Sequence, residues 1–230
     1  MRALILPGMD GSGRLLRGFV EALAPEISAD VAAYPPTRVL GYDSLLALVH
    51  ARVPRDEPFL LIGESFSGPL AIRIAAASPQ GLAGLVLCAS FASSPQPWFG
   101  PLGPILRLPF PKPPVELLMP LMMGRWKTPE WTQLERQALD PVTSQVARRR
   151  LSEVLRVDAR DALARVHCPV LYLQANHDRL VPRRCWRDVQ RILPQARRVC
   201  LDGPHFILQH QPVEAALAIK QKVFGDRGKR

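Results

Sequence analysis

Short runs of consecutive apolar residues recur along the chain and alternate with segments that are apolar on one side only. The clearest runs are residues 3–6, 59–62 and 82–88, and a glycine, proline or serine follows each one closely. Runs without polar alternation are typical of strands that are buried on both faces. We predict strands there, and further strands over residues 30–34, 170–173 and 197–201.

Between these runs, apolar residues recur every three or four positions, which predicts helices. In residues 14–23, for example, Leu15, Phe19 and Leu23 fall on one face. Further helices are predicted over residues 42–53, 69–77, 183–192 and 212–224. Strands that alternate with helices predict an α/β fold, with a mostly parallel sheet flanked by helices.

The alternation stops after residue 93 and resumes near residue 166. Residues 94–124 contain nine prolines, and residues 130–165 have a polar, helical pattern. Proline cannot donate to a strand ladder, so this stretch does not continue the sheet. We predict that residues 94–165 form a helical lid inserted into a core of residues 1–93 and 166–230.

The composition is that of a globular protein: 47% of the 230 residues are hydrophobic and 22% are charged. Four cysteines without a C-x-x-C pair predict neither a disulfide scaffold nor a structural zinc site. No apolar run reaches the roughly 18 residues that a membrane span needs, and the start of the chain lacks the apolar segment of a signal peptide. We therefore predict a cytoplasmic protein with no membrane span.

The net charge of +10 is unevenly distributed. Residues 1–118 contain 9 Lys and Arg against 9 Asp and Glu, whereas residues 119–230 contain 21 against 11. A basic half is found in proteins that bind nucleic acids or acidic protein partners. A solvated, arginine-rich surface is the commoner origin of such a pattern, and we predict that the protein binds no nucleic acid.

One serine lies where a predicted strand turns sharply into a predicted helix. The six residues Gly63-Glu64-Ser65-Phe66-Ser67-Gly68 join residues 59–62 to residues 69–77. A serine in such a turn projects its hydroxyl above the edge of the sheet, and small residues are needed two positions before and after it. Gly63 and Ser67 meet that need. Taken alone, a serine after a strand is more often only a helix cap.

Two further polar residues follow predicted strands. Asp178 comes after residues 170–173, and His205 comes after residues 197–201. Because the carboxyl ends of parallel strands form the ligand-binding edge of a sheet, both side chains should lie near Ser65. His177, beside Asp178, is a competitor with a poorer position. The remaining histidines fall on helices or at the opposite end of a strand: His50, His167 and His210.

The chain order Ser65, Asp178, His205 resembles the α/β-hydrolase superfamily over nearly the whole chain. The similarity includes residues 6–11, where Pro7 and Gly8 stand in place of the His-Gly of many members. It implies that Ser65 is the nucleophile, His205 its base and Asp178 the acid that orients the base. By the same resemblance, the backbone N–H groups of two further residues form the oxyanion hole: Met9 and Phe66.

The resemblance implies a serine hydrolase that cleaves a carboxylic ester or thioester, with no metal and no cofactor. A serine at position 65 argues against dehalogenase or epoxide hydrolase chemistry, in which an aspartate stands there. Lyases and peroxidases with the same three residues remain open. A second hypothesis is a protein of hydrolase fold that binds a ligand or partner without turnover, because fold does not determine function.

The predicted lid suggests what the substrate and a partner would be. Its aromatic and methionine side chains predict an apolar wall for an acyl or aromatic substrate, with contacts from Trp98, Phe99, Phe110 and Met122. The run from Arg148 to Arg150 is expected to be exposed. Such a cluster could dock an acidic carrier of the substrate, such as acyl carrier protein, although a solvated helix face is the competing interpretation.

Overall fold

The computed structural model describes residues 1–102, 106 and 108–225. Parts of the predicted lid (residues 103–105 and 107) and of the predicted core (residues 226–230) lie outside the described residues. The described strands are β1 (Arg2–Leu6), β2 (Ser28–Val31), β3 (Phe59–Glu64), β4 (Leu82–Cys88), β5 (Val170–Ala175) and β6 (Arg197–Leu201). They form one parallel sheet in the order β2-β1-β3-β4-β5-β6, which confirms the predicted fold class.

Helices cover both faces of this sheet. One face is covered by α1 (Arg17–Leu23), α9 (Ile207–His210) and α10 (Pro212–Gly225). The other face is covered by α2 (Tyr42–His50), α3 (Gly68–Ala76), α7 (Arg160–Leu163) and α8 (Arg184–Ile192). No helix in the described part of the chain is long and apolar enough to cross a membrane.

Alternate residues of each central strand belong to separate cores. In β1, Leu4 and Leu6 pack with α2 and α3, whereas Ala3 and Ile5 pack with α1 and α10. Successive side chains of a strand point to opposite faces, so a strand that is covered on both sides must be apolar throughout. The uninterrupted apolar runs in the sequence have this origin.

The second strand differs from its prediction. It spans Ser28–Val31 rather than residues 30–34, and its ladder with β1 runs from Arg2 opposite Ser28 to Ile5 opposite Val31. Beyond it, the amide of Tyr34 donates to the carbonyl of Gly11 at 2.7 Å. Tyr34 is therefore buried by packing on the loop after β1 and not by strand pairing, which its apolar character alone could not reveal.

The chain between β4 and β5 is helical in its described parts. It contains a short 3₁₀ helix at Pro97–Leu102, then α4 (Val115–Met122), α5 (Pro129–Leu139), α6 (Ser144–Arg156) and finally α7. Thr128 and Thr143 begin α5 and α6 as N-caps, because each hydroxyl accepts a hydrogen bond from the amide three residues later.

The two ends of this insertion meet. Ser93 forms an antiparallel bridge with Asp158, and the amide of Ser94 donates to the carbonyl of Val157 at 3.0 Å. After that point α7 packs on α3, and its Leu163 is part of the core beneath that helix. The chain thus leaves the sheet and returns to it at one place. The domain boundaries at residues 94 and 165 stay a prediction.

Gly63 lies where β3 and α3 approach closely. A methyl group on Gly63 would lie 2.7 Å from Cβ of Ala71 and 3.0 Å from the carbonyl oxygen of Ser67. We expect Gly63→Ala to lower the free energy of unfolding by about 1–3 kcal/mol, as overpacking usually does, in urea denaturation. Gly100→Ala is the control, because nothing lies within 4 Å of its added methyl. Equal losses at both positions would contradict the close approach.

Candidate active site

Ser65 occupies the turn between β3 and α3. Its φ of +46° lies in the left-handed region, which a residue with a side chain adopts only where its surroundings hold it. Here the hydroxyl of Ser90 donates to the Ser65 carbonyl at 2.6 Å, and the hydroxyl of Tyr42 donates to the Phe66 carbonyl at 2.7 Å. These bonds hold the turn in a conformation that exposes Ser65 to a cavity.

Ser67 stands where related turns carry glycine, and it fits because its hydroxyl is fully bonded. The side chain is buried and donates to the carbonyl of Pro7, at the end of β1. Its oxygen in turn accepts a hydrogen bond from the hydroxyl of Tyr34 at 2.6 Å. The serine therefore connects the turn after β3 to the loop after β1.

Asp178, His205 and Ser65 form a continuous chain of hydrogen bonds. Oδ2 of Asp178 lies 2.7 Å from Nδ1 of His205, and Nε2 of His205 lies 2.8 Å from Oγ of Ser65. A carboxylate can only accept, so His205 carries its proton on Nδ1 and accepts the serine proton at Nε2. Oδ1 of Asp178 accepts from the amides of Leu180 and Val181, both at 2.8 Å, which fixes the carboxylate.

This chain is shielded from solvent, and its charges affect one another. The side chains of His205 and Asp178 are only 6% and 3% exposed. Burial alone would lower the pKa of His205, but Asp178, with a contribution from Glu64, holds that pKa above its ordinary value. The histidine is therefore a stronger base than a free imidazole.

His177, the alternative candidate for the base, is not part of this chain of hydrogen bonds. His177 is half-exposed, and its Nε2 lies 2.8 Å from Oδ1 of the exposed Asp202. Asp202 is thus bonded to His177, and Asp178 is the carboxylate that contacts His205.

The two residues predicted for an oxyanion hole line the same cavity as Ser65. Met9 belongs to the loop after β1, and Phe66 follows the serine directly. The amide of Gly8 donates to Oε2 of Glu64 at 3.0 Å, and the amide of Gly11 donates to the Gly8 carbonyl at 3.0 Å. The loop that carries Met9 is therefore anchored on both sides. That the backbone N–H groups of Met9 and Phe66 bind an oxyanion stays a prediction.

The cavity has a volume of about 610 Å³ and lies between the sheet edge and the insertion. Of the residues predicted to contact a substrate, Phe99, Phe110 and Met122 line it. Trp98 is not among the described lining residues and is 75% exposed, so its placement differs from the prediction. In the tight 3₁₀ helix at Pro97–Leu102, neighbouring side chains point in different directions, so Phe99 can face the cavity while Trp98 faces solvent.

Residues 3–218 match the model of the alpha/beta hydrolase family. The chain belongs to that family. No curated protein matches it.

Solved structures share the fold of this hydrolase at low identity. They include a thermophilic esterase from Thermogutta terrifontis, solved with malate bound (22% identity, 97% of this chain and 90% of that chain covered, TM-score 0.76). MenH from S. aureus is another (14% identity, 97% of this chain and 94% of that chain covered, TM-score 0.78). The enol-lactonase from Burkholderia xenovorans LB400 is a third (16% identity, 96% of this chain and 89% of that chain covered, TM-score 0.74).

In this hydrolase a second carboxyl group lies beside Ser65 in the sequence and lines the same cavity. Glu64 is 5% exposed, and its Oε1 accepts a hydrogen bond from Nε2 of Gln209 at 2.6 Å. Burial raises the pKa of Glu64 to about 7, although this hydrogen bond lowers it. Glu64 is not among the predicted site residues, although a carboxylate at the end of an otherwise apolar strand is a signal that could have identified it.

An arginine of the insertion holds the loop after β1. The guanidinium of Arg150, on α6, donates to the carbonyls of Met9 and Asp10, both at 2.8 Å, and to that of Pro35 at 3.2 Å. The side chain is only 2% exposed. Arg150 follows Val146 by four residues on the buried face of α6, so helical spacing could have identified it.

The expected exposed cluster from Arg148 to Arg150 does not exist. Arg150 is buried, Arg149 pairs with Glu153 at 2.8 Å, and Arg148 donates to the carbonyl of Phe110. Consecutive residues on a helix point about 100° apart, so a run of three charges reaches three surroundings. The prediction that this cluster docks acyl carrier protein therefore loses its structural basis.

We expect Arg150→Met to lower the free energy of unfolding by about 3 kcal/mol, because it leaves three part-buried carbonyls without their donor. Arg149→Met is the matched control. Its half-exposed ion pair with Glu153 contributes less than about 1 kcal/mol. Urea denaturation of both variants measures the difference. Similar losses for the two would mean that the buried bonds of Arg150 contribute little.

Proposed function

We propose that this hydrolase cleaves a carboxylic ester or thioester, with Ser65 as nucleophile, His205 as general base and Asp178 as the orienting acid. The observation that carries the proposal is the hydrogen-bonded chain from Asp178 through His205 to Ser65, on the wall of a large cavity. Esterase and enol-lactonase structures of similar fold are compatible with it. The proposal rests on the residues of this chain, because those identities support the fold alone.

Acylation begins when Nε2 of His205 takes the proton of the Ser65 hydroxyl as Oγ attacks the carbonyl carbon. Asp178 stabilises the imidazolium that results and keeps its ring in position. The carbonyl oxygen becomes an oxyanion, which the N–H groups of Met9 and Phe66 would bind. His205 then donates its proton to the departing alcohol or thiol, which leaves an acyl group on Ser65.

Deacylation repeats the same steps with water. His205 removes a proton from a water molecule, which attacks the acyl carbon, and the carboxylic acid leaves as Ser65 regains its proton. Neutral His205 is needed in both half-reactions. The chemistry therefore depends on the pKa of this one imidazole.

We propose an apolar acyl or aromatic group for the substrate and a lid function for the insertion. Apolar side chains of the insertion line the cavity opposite Ser65: Phe99, Phe110, Leu118, Met122, Leu139 and Leu151. An apolar wall with a few polar groups favours a ligand of low polarity. The cavity volume of about 610 Å³ leaves room for an acyl chain of several carbons.

We expect Ser65→Ala to lower kcat for p-nitrophenyl and acyl-thioester substrates by about 10⁶-fold, as loss of such a nucleophile does. The same variant should lose labelling by a fluorophosphonate probe. Ser44→Ala, on the exposed side of α2, is the control and should keep both properties. Labelling that survives in Ser65→Ala would exclude Ser65. A wild-type protein that binds these esters without turnover would favour the non-catalytic hypothesis.

The pH profile gives an independent prediction. Neutral His205 is the active base, so kcat/KM should fall as the pH drops through the pKa of His205, which lies above its ordinary value of about 6.5. The charge of Glu64 contributes to that raised pKa, so Glu64→Gln should move the acidic limb to lower pH. Glu57→Gln, an exposed control, should leave the limb in place. A limb that moves to higher pH would contradict the assignment.

A further inference from the structure

Carboxyl groups from separate elements gather on the cavity wall beside the nucleophile. Asp10 lies on the loop after β1, and Glu64 ends β3. Gly8 stands between them: a methyl group on it would lie 3.4 Å from Oε2 of Glu64 and 4.0 Å from Oδ1 of Asp10. The two carboxyl groups therefore both lie close to the backbone of Gly8.

Glu135, on α5, lines the same cavity from the insertion. Its side chain lines the cavity and is 3% exposed, and its Oε2 forms no hydrogen bond with any described residue. Burial raises the pKa of Glu135 to about 9, with smaller contributions from the nearby carboxyls of Asp10 and Glu64. The two charged groups that act on Glu135 are therefore carboxyls, and their repulsion adds to the cost of ionising a buried carboxyl.

A second buried acceptor is also unsatisfied. Gln209 lines the cavity and donates from Nε2 to Glu64, but its Oε1 has no partner among the described residues. Buried polar atoms are normally bonded, and an unmade bond costs free energy. Two such atoms on one cavity wall, next to two further carboxyls, indicate a site for a ligand that supplies donors.

The cations nearby are already engaged. The guanidinium of Arg150 is bonded to backbone carbonyls of the same loop. Three other cations line the cavity and have their own partners: Lys112 with the Leu139 carbonyl, Arg136 with Glu116, and Arg148 with the Phe110 carbonyl. Because their donors are used in these bonds, none of these cations bonds to Oε2 of Glu135 or Oε1 of Gln209, and both acceptors are left for a ligand.

We propose that Asp10, Glu64, Glu135 and Gln209, the carboxyl pocket, bind a primary ammonium group of the substrate. An ammonium has three N–H donors and a positive charge, which fits the unbonded acceptors of Glu135 and Gln209 and favours ionisation of the carboxyls around it. Metal binding is disfavoured, because no group of three or more His, Cys, Asp or Glu within the described ranges is arranged to hold a metal ion. The substrate would then be an amino-substituted ester or thioester, an inference that rests on the proposed function.

Binding can be tested without turnover. The Ser65→Ala protein is titrated with hexylammonium chloride and with 1-hexanol, and calorimetry gives both dissociation constants. We expect hexylammonium to bind about tenfold more tightly or better, since bonds to a charged group are the stronger ones. Hexanol that binds as tightly would overturn recognition of the charge and indicate a neutral donor site.

Substitution of Glu135 provides the second arm. Glu135→Gln keeps the size and removes the carboxyl that would ionise against a bound ammonium, and should weaken hexylammonium binding at least about tenfold. Glu130→Gln, at the exposed start of the same helix, is the matched control and should change nothing. Circular dichroism verifies folding, and Glu135→Met serves if the glutamine variant fails to fold. Hexylammonium affinity that is unchanged without the Glu135 carboxylate would overturn the proposal.

Turnover separates this proposal from the proposed function. The substrates are p-nitrophenyl 6-aminohexanoate and p-nitrophenyl heptanoate, which differ only by an ammonium in place of a methyl. We expect the ratio of their kcat/KM values to exceed one in the wild type and to fall about tenfold in Glu135→Gln but not in Glu130→Gln. Turnover with a ratio that ignores Glu135 would overturn the pocket alone. Glu135-dependent binding of hexylammonium without any turnover would overturn only the proposed function.

Discussion

The carboxyl ends of parallel strands all lie at the same edge of a sheet, and the site depends on this constraint. The loop with Met9 follows β1, Ser65 follows β3, Asp178 follows β5 and His205 follows β6. Residues as far apart in sequence as Ser65 and His205 therefore meet at hydrogen-bond distance. The sheet needs no polar residue of its own to achieve this, because its register alone brings the loops together.

The sequence was sufficient for the features that follow from this rule. Apolar runs predicted the sheet, and polar residues in the loops after three strands predicted the positions of Ser65, Asp178 and His205. The positions of residues along the chain do not predict which side chain is buried where helices pack against loops. A count of charges along the chain treats Arg148 and Arg150 alike, although helix rotation points Arg148 into the cavity and buries Arg150 against the loop after β1. Only the packed structure shows which residue reaches the site.

The insertion contributes to the polar side of the site as well as to its apolar wall. Arg150 on α6 and Glu135 on α5 both approach the loop after β1, but they differ in what they meet. The guanidinium finds carbonyl dipoles that satisfy it, whereas the carboxyl finds further negative groups. A buried charge is stable where donors and acceptors match, so this contrast separates a group that supports the structure from one that awaits a ligand.

The bridge between Ser93 and Asp158 has an evolutionary consequence. Because the insertion departs and returns through adjacent residues, its length and helices can change without altering the register of β4 against β5. Gene segments that encode different insertions can be exchanged at this junction, because Ser65, Asp178 and His205 all lie outside the exchanged segment. A replacement insertion would also have to supply a donor in place of Arg150, whose bonds hold the loop that carries Met9.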